Sequence, residues 1–321
     1  MLRDQFGRDV TYLRVSVTER CNFRCQYCMP EKPFSWVPRE NLLSYEELYS
    51  FIRIGIDQGI TKIRLTGGEP LTRDDLDRLI AMIIEYAPDV DIGLTTNGYL
   101  LEPMVERLSN AGLKRINVSL DSMQKETLHA ITKKDVLDKV KAGIEAAVQA
   151  GLKVKINSVI MKKVNEDEVI ALFEYAKGLG AQIRFIEYME NSFASSHVQG
   201  LTSDEILDIL GKHVSFSPVL IGSDGPATLY ECTDGYRFGT IEPHKHDFCA
   251  TCNRIRLTAE GDLIPCLYFD EAMSVKDALR ENDLDQAEQV LRTVVFNKPE
   301  KNRWNANDSE VSTRAFYQTG G

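Results

Sequence analysis

Short β-rich runs alternate with helical patterns from Tyr12 to about Met189, and this rhythm restricts the possible folds more than any other feature of the chain. The runs are Tyr12–Val17, Lys62–Thr66, Asp91–Thr95, Arg115–Ser119, Val154–Val159 and Gln182–Ile186. Helical patterns lie between them, roughly over 44–57, 73–86, 101–110, 136–148 and 166–177. The clearest is the stripe Val136, Leu137, Val140, Ile144, Ala147 and Val148, closed by Gly151. Ser44 followed by Glu47 forms the pattern of a capping box. Strands joined one after another by helices point to a parallel sheet. The expected fold class is α/β: an incomplete parallel (β/α)6 barrel of the TIM type, because eight units close a full barrel and only six are read here. Polar and glycine-rich clusters follow the strands: 21–28, 67–69, 96–98, 119–121 and 187–189. Turns recruit such residues anyway. In this fold, however, strand C-terminal ends also carry active sites, and turn chemistry does not explain cysteines.

After about residue 190 the rhythm stops. A polar loop and a short helix over 202–210 precede a stretch punctuated by Pro218, Gly222, Gly225, Pro226, Gly235 and Gly239. The expected organisation is therefore a partial barrel over 1–190 and a C-terminal region over 191–321. Charge excludes two classes of partner. With 38 Lys and Arg against 48 Asp and Glu, the formal charge is −10. A chain so acidic lacks the basic surface that holds nucleic acid or an anionic membrane. No apolar run approaches the ~20 residues of a membrane helix, and residues 1–5 do not open a secretory signal. The expected location is the cytoplasm.

Seven cysteines is an odd count for a disulfide framework. They divide into Cys21, Cys25 and Cys28, then Cys249, Cys252 and Cys266, with Cys232 apart. Each triad has three thiolates for a four-iron, four-sulfur (4Fe-4S) cluster and leaves the fourth iron open, whereas electron-transfer clusters take four cysteines. A fourth ligand from elsewhere would make either triad a zinc site. His244 and His246 stand near the second triad, so spacing alone leaves zinc and cluster both open there. Cys232 has no partner at ligand spacing and reads as a buried thiol. Arg254 and Arg256, two apart beside the second triad, would share one face of a strand and suit phosphate oxygens.

The stretch Val15-Ser16-Val17-Thr18-Glu19-Arg20-Cys21-Asn22-Phe23-Arg24-Cys25-Gln26-Tyr27-Cys28-Met29-Pro30 resembles the signature of radical S-adenosylmethionine enzymes. The stretch from Phe248 to Leu267 resembles the C-terminal motif of the GTP 3′,8-cyclase subfamily, which begins molybdenum cofactor biosynthesis. The resemblance runs from Tyr12 to Gly321. It implies two 4Fe-4S clusters on the two triads, with S-adenosylmethionine on the open iron of the first and the guanine of GTP on that of the second. It also implies cofactor contacts from Tyr27, Gly68, Glu69, Ser119 and Met189. Arg14, Arg64, Thr95, Lys155, Arg254, Ile255 and Arg256 would hold GTP, and Arg254 or Arg256 would assist the last reductive step. The implied reaction starts from a 5′-deoxyadenosyl radical. This takes the hydrogen from C3′ of the ribose, C3′ attacks C8 of guanine, and reduction yields 3′,8-cyclo-7,8-dihydro-GTP. An electron donor of unspecified kind is needed. A homodimer and a contact with cyclic pyranopterin monophosphate synthase are compatible with the resemblance. The terminal Gly320-Gly321 matches a tail that reaches into the active site, although residues 314–319 depart from the usual methionine and isoleucine. The rival reading is a peptide-modifying radical enzyme with an auxiliary cluster.

Overall fold

The computed structural model describes all residues except 31, 33, 34, 192–197, 220–224, 244–248, 268, 270, 302–313 and 321. Alternation within the strands explains the layers. In Tyr12–Ser16 (β1), Leu13 and Val15 leave one face while Tyr12 and Arg14 leave the other. Lys62–Thr66 (β2), Asp91–Thr96 (β3), Arg115–Ser119 (β4), Lys153–Val159 (β5) and Gln182–Ile186 (β6) repeat the arrangement. Ile63, Leu65, Ile92, Leu94, Ile116, Val118, Ile156 and Phe185 join a single buried core with the helices outside the sheet. Each such side chain stabilises the fold by about 1.5–3 kcal/mol when fully buried. That outer layer frees the opposite face for Arg14, Arg64, Thr95, Asn117, Asn157 and Arg184.

The six strands lie within a residue or so of their expected bounds. The first helices are Tyr45–Asp57 (α1), Leu76–Tyr86 (α2), Val105–Asn110 (α3), Lys125–Thr132 (α4), Leu137–Gln149 (α5) and Val169–Gly178 (α6). The Ser44 capping box is present: Ser44 Oγ accepts from the Glu47 N–H at 3.1 Å, and the Glu47 carboxylate accepts from the Ser44 N–H at 2.6 Å. Helix α2 starts three residues later than expected. Pro70–Thr72 first makes a 3-10 turn, and Asp75 takes a φ of 58° before the helix begins. Helix α4, absent from the sequence reading, has only Leu128, Ile131 and Thr132 buried, too few for a visible stripe.

The region after 190 contributes Ser203–Gly211 (α7), Phe216–Pro218 (β7), Ala227–Cys232 (β8), Arg237–Ile241 (β9), Arg254–Leu257 (β10), Asp262–Ile264 (β11), Met273–Ser274 (β12), Lys276–Arg280 (α8), Leu284–Phe296 (α9) and Phe316–Thr319 (α10). These strands extend the sheet at both edges, in the order β12-β11-β10-β1-β2-β3-β4-β5-β6-β9-β8-β7. Strand β10 runs parallel to β1, placing Tyr12 opposite Arg254 and Arg14 opposite Arg256, and β9 runs parallel to β6. Eight consecutive strands are thus parallel, two more than expected, and the sheet stays open between β12 and β7. All eight send side chains to one cavity, from Arg254 and Arg256 on β10 round to Ile241 on β9, so the open sheet curls into a partial barrel. Helix α9 also goes beyond the sequence reading, although Ala287, Val290, Leu291, Val294 and Val295 form a clear helical stripe. Cys232 on β8 is buried, as expected. Among the described residues no helix is long and apolar enough to cross a membrane.

Candidate active site

The loop after β1 carries the first triad. Cys21, Cys25 and Cys28 line one cavity with Tyr27, Thr66, Gly67, Gly68, Asn97, Ser119 and Asp121. Helix α4 anchors the loop, because the Arg24 and Gln26 N–H groups donate to the carbonyls of Thr132 and Ile131 at 2.9 and 3.0 Å. Amides already face the sulfur of Cys21: the Phe23 N–H donates at 3.4 Å, and Asn97 Nδ2 stands at 3.9 Å. Burial pushes the Cys21 and Cys28 thiols up to about 11 and about 12, and raises Cys25 well above the usual thiol range. Tyr27 donates to Asp121 Oδ2 at 2.7 Å, which orients its ring at the cavity wall. Burial lifts the Asp121 carboxyl to about 6.

Gly67 and Gly68 are required by the fold before any ligand enters. A Cβ on Gly68 would stand 2.4 Å from the Glu19 carbonyl oxygen and 2.6 Å from that of Arg20, and one on Gly67 would stand 2.3 Å from that of Thr18. Their loop lies directly against the segment leading to Cys21, bonded through the Gly68 N–H to Thr18 O at 2.8 Å. The Glu69 side chain faces away from the first cavity. It turns into the protein and accepts from Thr96 Oγ1 at 2.6 Å, the Asn97 N–H at 2.6 Å and the Leu71 N–H at 3.0 Å. Full burial raises its carboxyl to about 7. Glu69 therefore ties the ends of β2 and β3 together and does not line the cavity.

The second cavity fills the barrel. Cys249, Cys252 and Cys266 line it together with six cations: Arg14, Arg64, Arg184, Arg254, Arg256 and Lys298. No carboxylate stands among its described lining residues. Burial and then the neighbouring arginines hold Arg14 well below the usual arginine range. Burial first, then Arg254, brings Arg256 to about 10, and burial with Arg64 does the same to Arg184. Burial alone would raise Tyr12, yet Arg64 and Arg14 pull its phenol down to about 8. Cys252 shows the same field: burial opposes its ionisation, but Arg254 and Lys298 bring the thiol to about 6. Like charges gathered in a low-dielectric site repel, and an anion relieves them. Cys252 of the second triad thus sits in an electropositive wall that favours its thiolate, whereas no lysine or arginine stands among the described lining residues of the first cavity. Among the described residues no three His, Cys, Asp or Glu side chains converge to hold a single metal ion. Residues 244 and 246 lie outside the described residues.

Thr95 lines both cavities, and its Oγ1 is buried without a hydrogen-bond partner among the described residues. The tail also spans them. Phe316 and Tyr317 of α10 wall the first cavity, while the Gly320 carbonyl accepts from Arg256 Nη1 at 3.2 Å and also from Arg14. A Cβ on Gly320, whose φ is 67°, would stand 2.2 Å from Thr66 Cγ2. Residue 321 lies outside the described residues.

The structure brings Tyr27, Gly68 and Ser119 to the first cavity, and Arg14, Arg64, Thr95, Arg254 and Arg256 to the second. Met189 lines the second cavity, not the first. The Ile255 side chain is fully buried in the core on the outer face of β10, so it does not reach the cavity. Lys155 lies on the inner face below the lining residues, where burial and then Arg184 lower its ammonium to about 8. Sequence reasoning missed Asn97, Asp121, Asn157, Arg184 and Lys298. Strand parity carried a signal for Arg184 and Asn157: they are paired in register on the inner face, and Arg184 Nη2 donates to Asn157 Oδ1 at 2.6 Å.

Arg64 lies across the neighbouring strand, where a Cβ on Gly93 would stand 2.6 Å from its Nη1. Its Nε donates to Tyr12 Oη and its Nη1 to the Leu94 carbonyl, both at 3.1 Å. Gly93→Ala should displace the guanidinium and leave the strand in place. The expected result is binding of a triphosphate anion weakened about tenfold, ~1.4 kcal/mol, with the melting temperature almost unchanged. Calorimetric titration and a thermal melt check both.

An open parallel barrel with a three-cysteine loop after its first strand and a Gly-Gly-Glu-Pro turn after its second defines the class of radical S-adenosylmethionine proteins. The family model described as Radical SAM superfamily matches residues 15–176, and the one described as Molybdenum Cofactor Synthesis C matches 181–304. Curated relatives include GTP 3′,8-cyclases of Aliarcobacter butzleri, 61% identical, and Campylobacter jejuni, 54% identical, each alignment covering 100% of both chains. The chain belongs to the GTP 3′,8-cyclase family of radical SAM proteins. Among solved structures, Streptococcus suis SuiB bound to S-adenosylmethionine is similar with a TM-score of 0.64 at 15% identity, covering 91% of this chain and 65% of that one. The anSMEcpe structure with bound AdoMet gives 0.57 at 17% identity, covering 89% and 83%. At such identities the likeness is one of fold, so the likeness to SuiB, also solved with a precursor peptide, carries no argument for a peptide substrate.

Proposed function

We infer that this chain converts GTP to 3′,8-cyclo-7,8-dihydro-GTP, the first step of molybdenum cofactor biosynthesis, using S-adenosylmethionine and two 4Fe-4S clusters. The observation that carries this reading is the junction at Thr95. One cavity holds a cysteine triad with no lysine or arginine among its described lining residues, the adjoining one holds six cations and a second triad, and Thr95 belongs to both. A cofactor and a triphosphate bound in the two would meet there. When bound, a cluster on Cys21, Cys25 and Cys28 supplies the electron that splits S-adenosylmethionine into methionine and a 5′-deoxyadenosyl radical.

The chain's own residues then position and shield. Tyr27, Gly68 and Ser119 hold the cofactor, while Glu69 holds the turn that presents Gly68. Arg14, Arg64 and Arg184 fork onto phosphate oxygens, with Lys155 behind them. Cys249, Cys252 and Cys266 would hold the second cluster, which would bind the guanine. Arg254 and Arg256 flank it and assist the final reduction. Met189 acts from the substrate side. The barrel wall excludes water and keeps C3′ within reach of its partner atom. Residues 1–190 serve as the six-stranded partial barrel that binds the cofactor, and 191–321 as the region that completes the barrel and the substrate site. The cytoplasm and an external one-electron donor belong to the same reading, and a homodimer and contact with cyclic pyranopterin monophosphate synthase are compatible with it.

The test is anaerobic reconstitution followed by a strong reductant, S-adenosylmethionine and GTP. Deoxyadenosine together with a cyclised nucleotide is expected. Deoxyadenosine with GTP recovered intact would sink the substrate assignment.

A further inference from the structure

Beside the second triad, Arg8 from outside the cavity and Lys298 from its wall are bonded to loop carbonyls next to the cysteines. Asp4, 4% exposed, accepts from the Phe6 and Arg8 N–H groups through Oδ1, both at 2.9 Å, and pairs through Oδ2 with Arg8 Nε at 2.5 Å. That pair aims the rest of the guanidinium inward. Arg8 Nη1 donates to the carbonyls of Cys249 and Glu300, each at 2.8 Å, and Nη2 donates to that of Pro299 at 2.5 Å. From the same stretch, Lys298, 2% exposed, donates through Nζ to the Pro265 carbonyl at 2.7 Å, one residue before Cys266. Residues 298–300 are therefore bonded toward Cys266 through Lys298 and toward Cys249 through Arg8. A guanidinium that joins three loop carbonyls fixes segments with no shared helix or strand to hold them.

We propose that Arg8, aimed by Asp4, and Lys298 are positioning residues that set the spacing of Cys249, Cys252 and Cys266, and so govern retention of the second cluster. The inference rests on reading those three cysteines as its ligands. The N-terminal segment, which enters neither cavity, thereby supports the site at the far end of the chain.

The test uses the full chain carrying Arg8→Gln, Lys298→Met or Cys252→Ala, each studied metal-free and after anaerobic reconstitution. Hydrogen exchange is followed in the metal-free protein, and iron content and low-temperature EPR spectra, with S-adenosylmethionine or GTP added, in the reconstituted one. Arg8→Gln and Lys298→Met should speed exchange about tenfold in the stretches around 249–253 and 264–267, but not around 21–28. They should lose roughly half the iron, one of two four-iron clusters. The EPR signal that responds to S-adenosylmethionine should persist while the one that responds to GTP fades. Arg8→Lys should restore only part, because one ammonium cannot reproduce the fork. Should Arg8→Gln fail to fold, Asp4→Asn, which keeps the acceptor and removes the aiming charge, is read in its place. Parent-like exchange and signals overturn the proposal, and so does loosening of the whole chain with both signals failing together. Cys252→Ala separates the two readings: a GTP-responsive signal that survives it overturns the ligand assignment itself.

Discussion

Cys21→Ala should reduce deoxyadenosine formation to that of a protein-free control, while Cys266→Ala should retain it within about tenfold, ~1.4 kcal/mol of barrier, yet yield no cyclised nucleotide. The two cysteines stand in different cavities, one among the loops after β1 and β2 and the other in the cationic wall of the barrel. Loss of the first removes the source of the radical. Loss of the second leaves the radical formed without a correctly held target, and such uncoupling is the mark of separate roles. Chromatography of deoxyadenosine and nucleotide from the same reaction reads both. Equal loss of deoxyadenosine in the two variants would refute the division of labour.

Gly68→Ala carries the second large effect, and it arises from packing before chemistry. The new methyl would meet two backbone oxygens, those of Glu19 and Arg20, at 2.4 and 2.6 Å. Backbone cannot swing aside as a side chain can, so the segment leading to Cys21 must move. Overpacking of this kind costs about 1–3 kcal/mol. A melting temperature lower by several degrees and loss of the S-adenosylmethionine-responsive cluster are expected together. Gly211→Ala is the control: nothing lies within 4 Å of that added Cβ at the end of α7, so stability should hold or rise by up to ~1 kcal/mol. A thermal melt and iron analysis of the two variants side by side would expose the idea as wrong if they behaved alike.

Much of the fold was legible because the strands state it twice. The alternation Leu13 and Val15 against Tyr12, Arg14 and Ser16 marks two faces, and the helical stripes state what covers the apolar one. The strand character around Arg254 and Arg256 was legible, but not that β9 and β10 join the parallel sheet, since they owe their direction to pairing with β6 and β1. Pairing partners far apart in sequence leave no local periodicity. In the site, residues with an unusual spacing were found and residues with an ordinary one were not. Cys21, Cys25 and Cys28 announce themselves, whereas Arg184 looks like any strand arginine until Asn157 and the cavity are beside it. Glu69 and Ile255 show the converse. Both sit inside informative motifs, yet one side chain turns into a hydrogen-bonded buttress and the other into the core.

The sequence by itself determined six β/α units with one incomplete cysteine triad among them, and beyond them a second triad beside a pair of arginines suited to phosphate, because spacing and alternation are local properties. Tertiary structure alone decided that the triads open into adjoining cavities meeting at Thr95, that six cations converge in one of them, and that Arg8 reaches across to Cys249. Those are distances between segments remote along the chain. They exist only once the sheet has curled and brought β10 and β9 to the same interior.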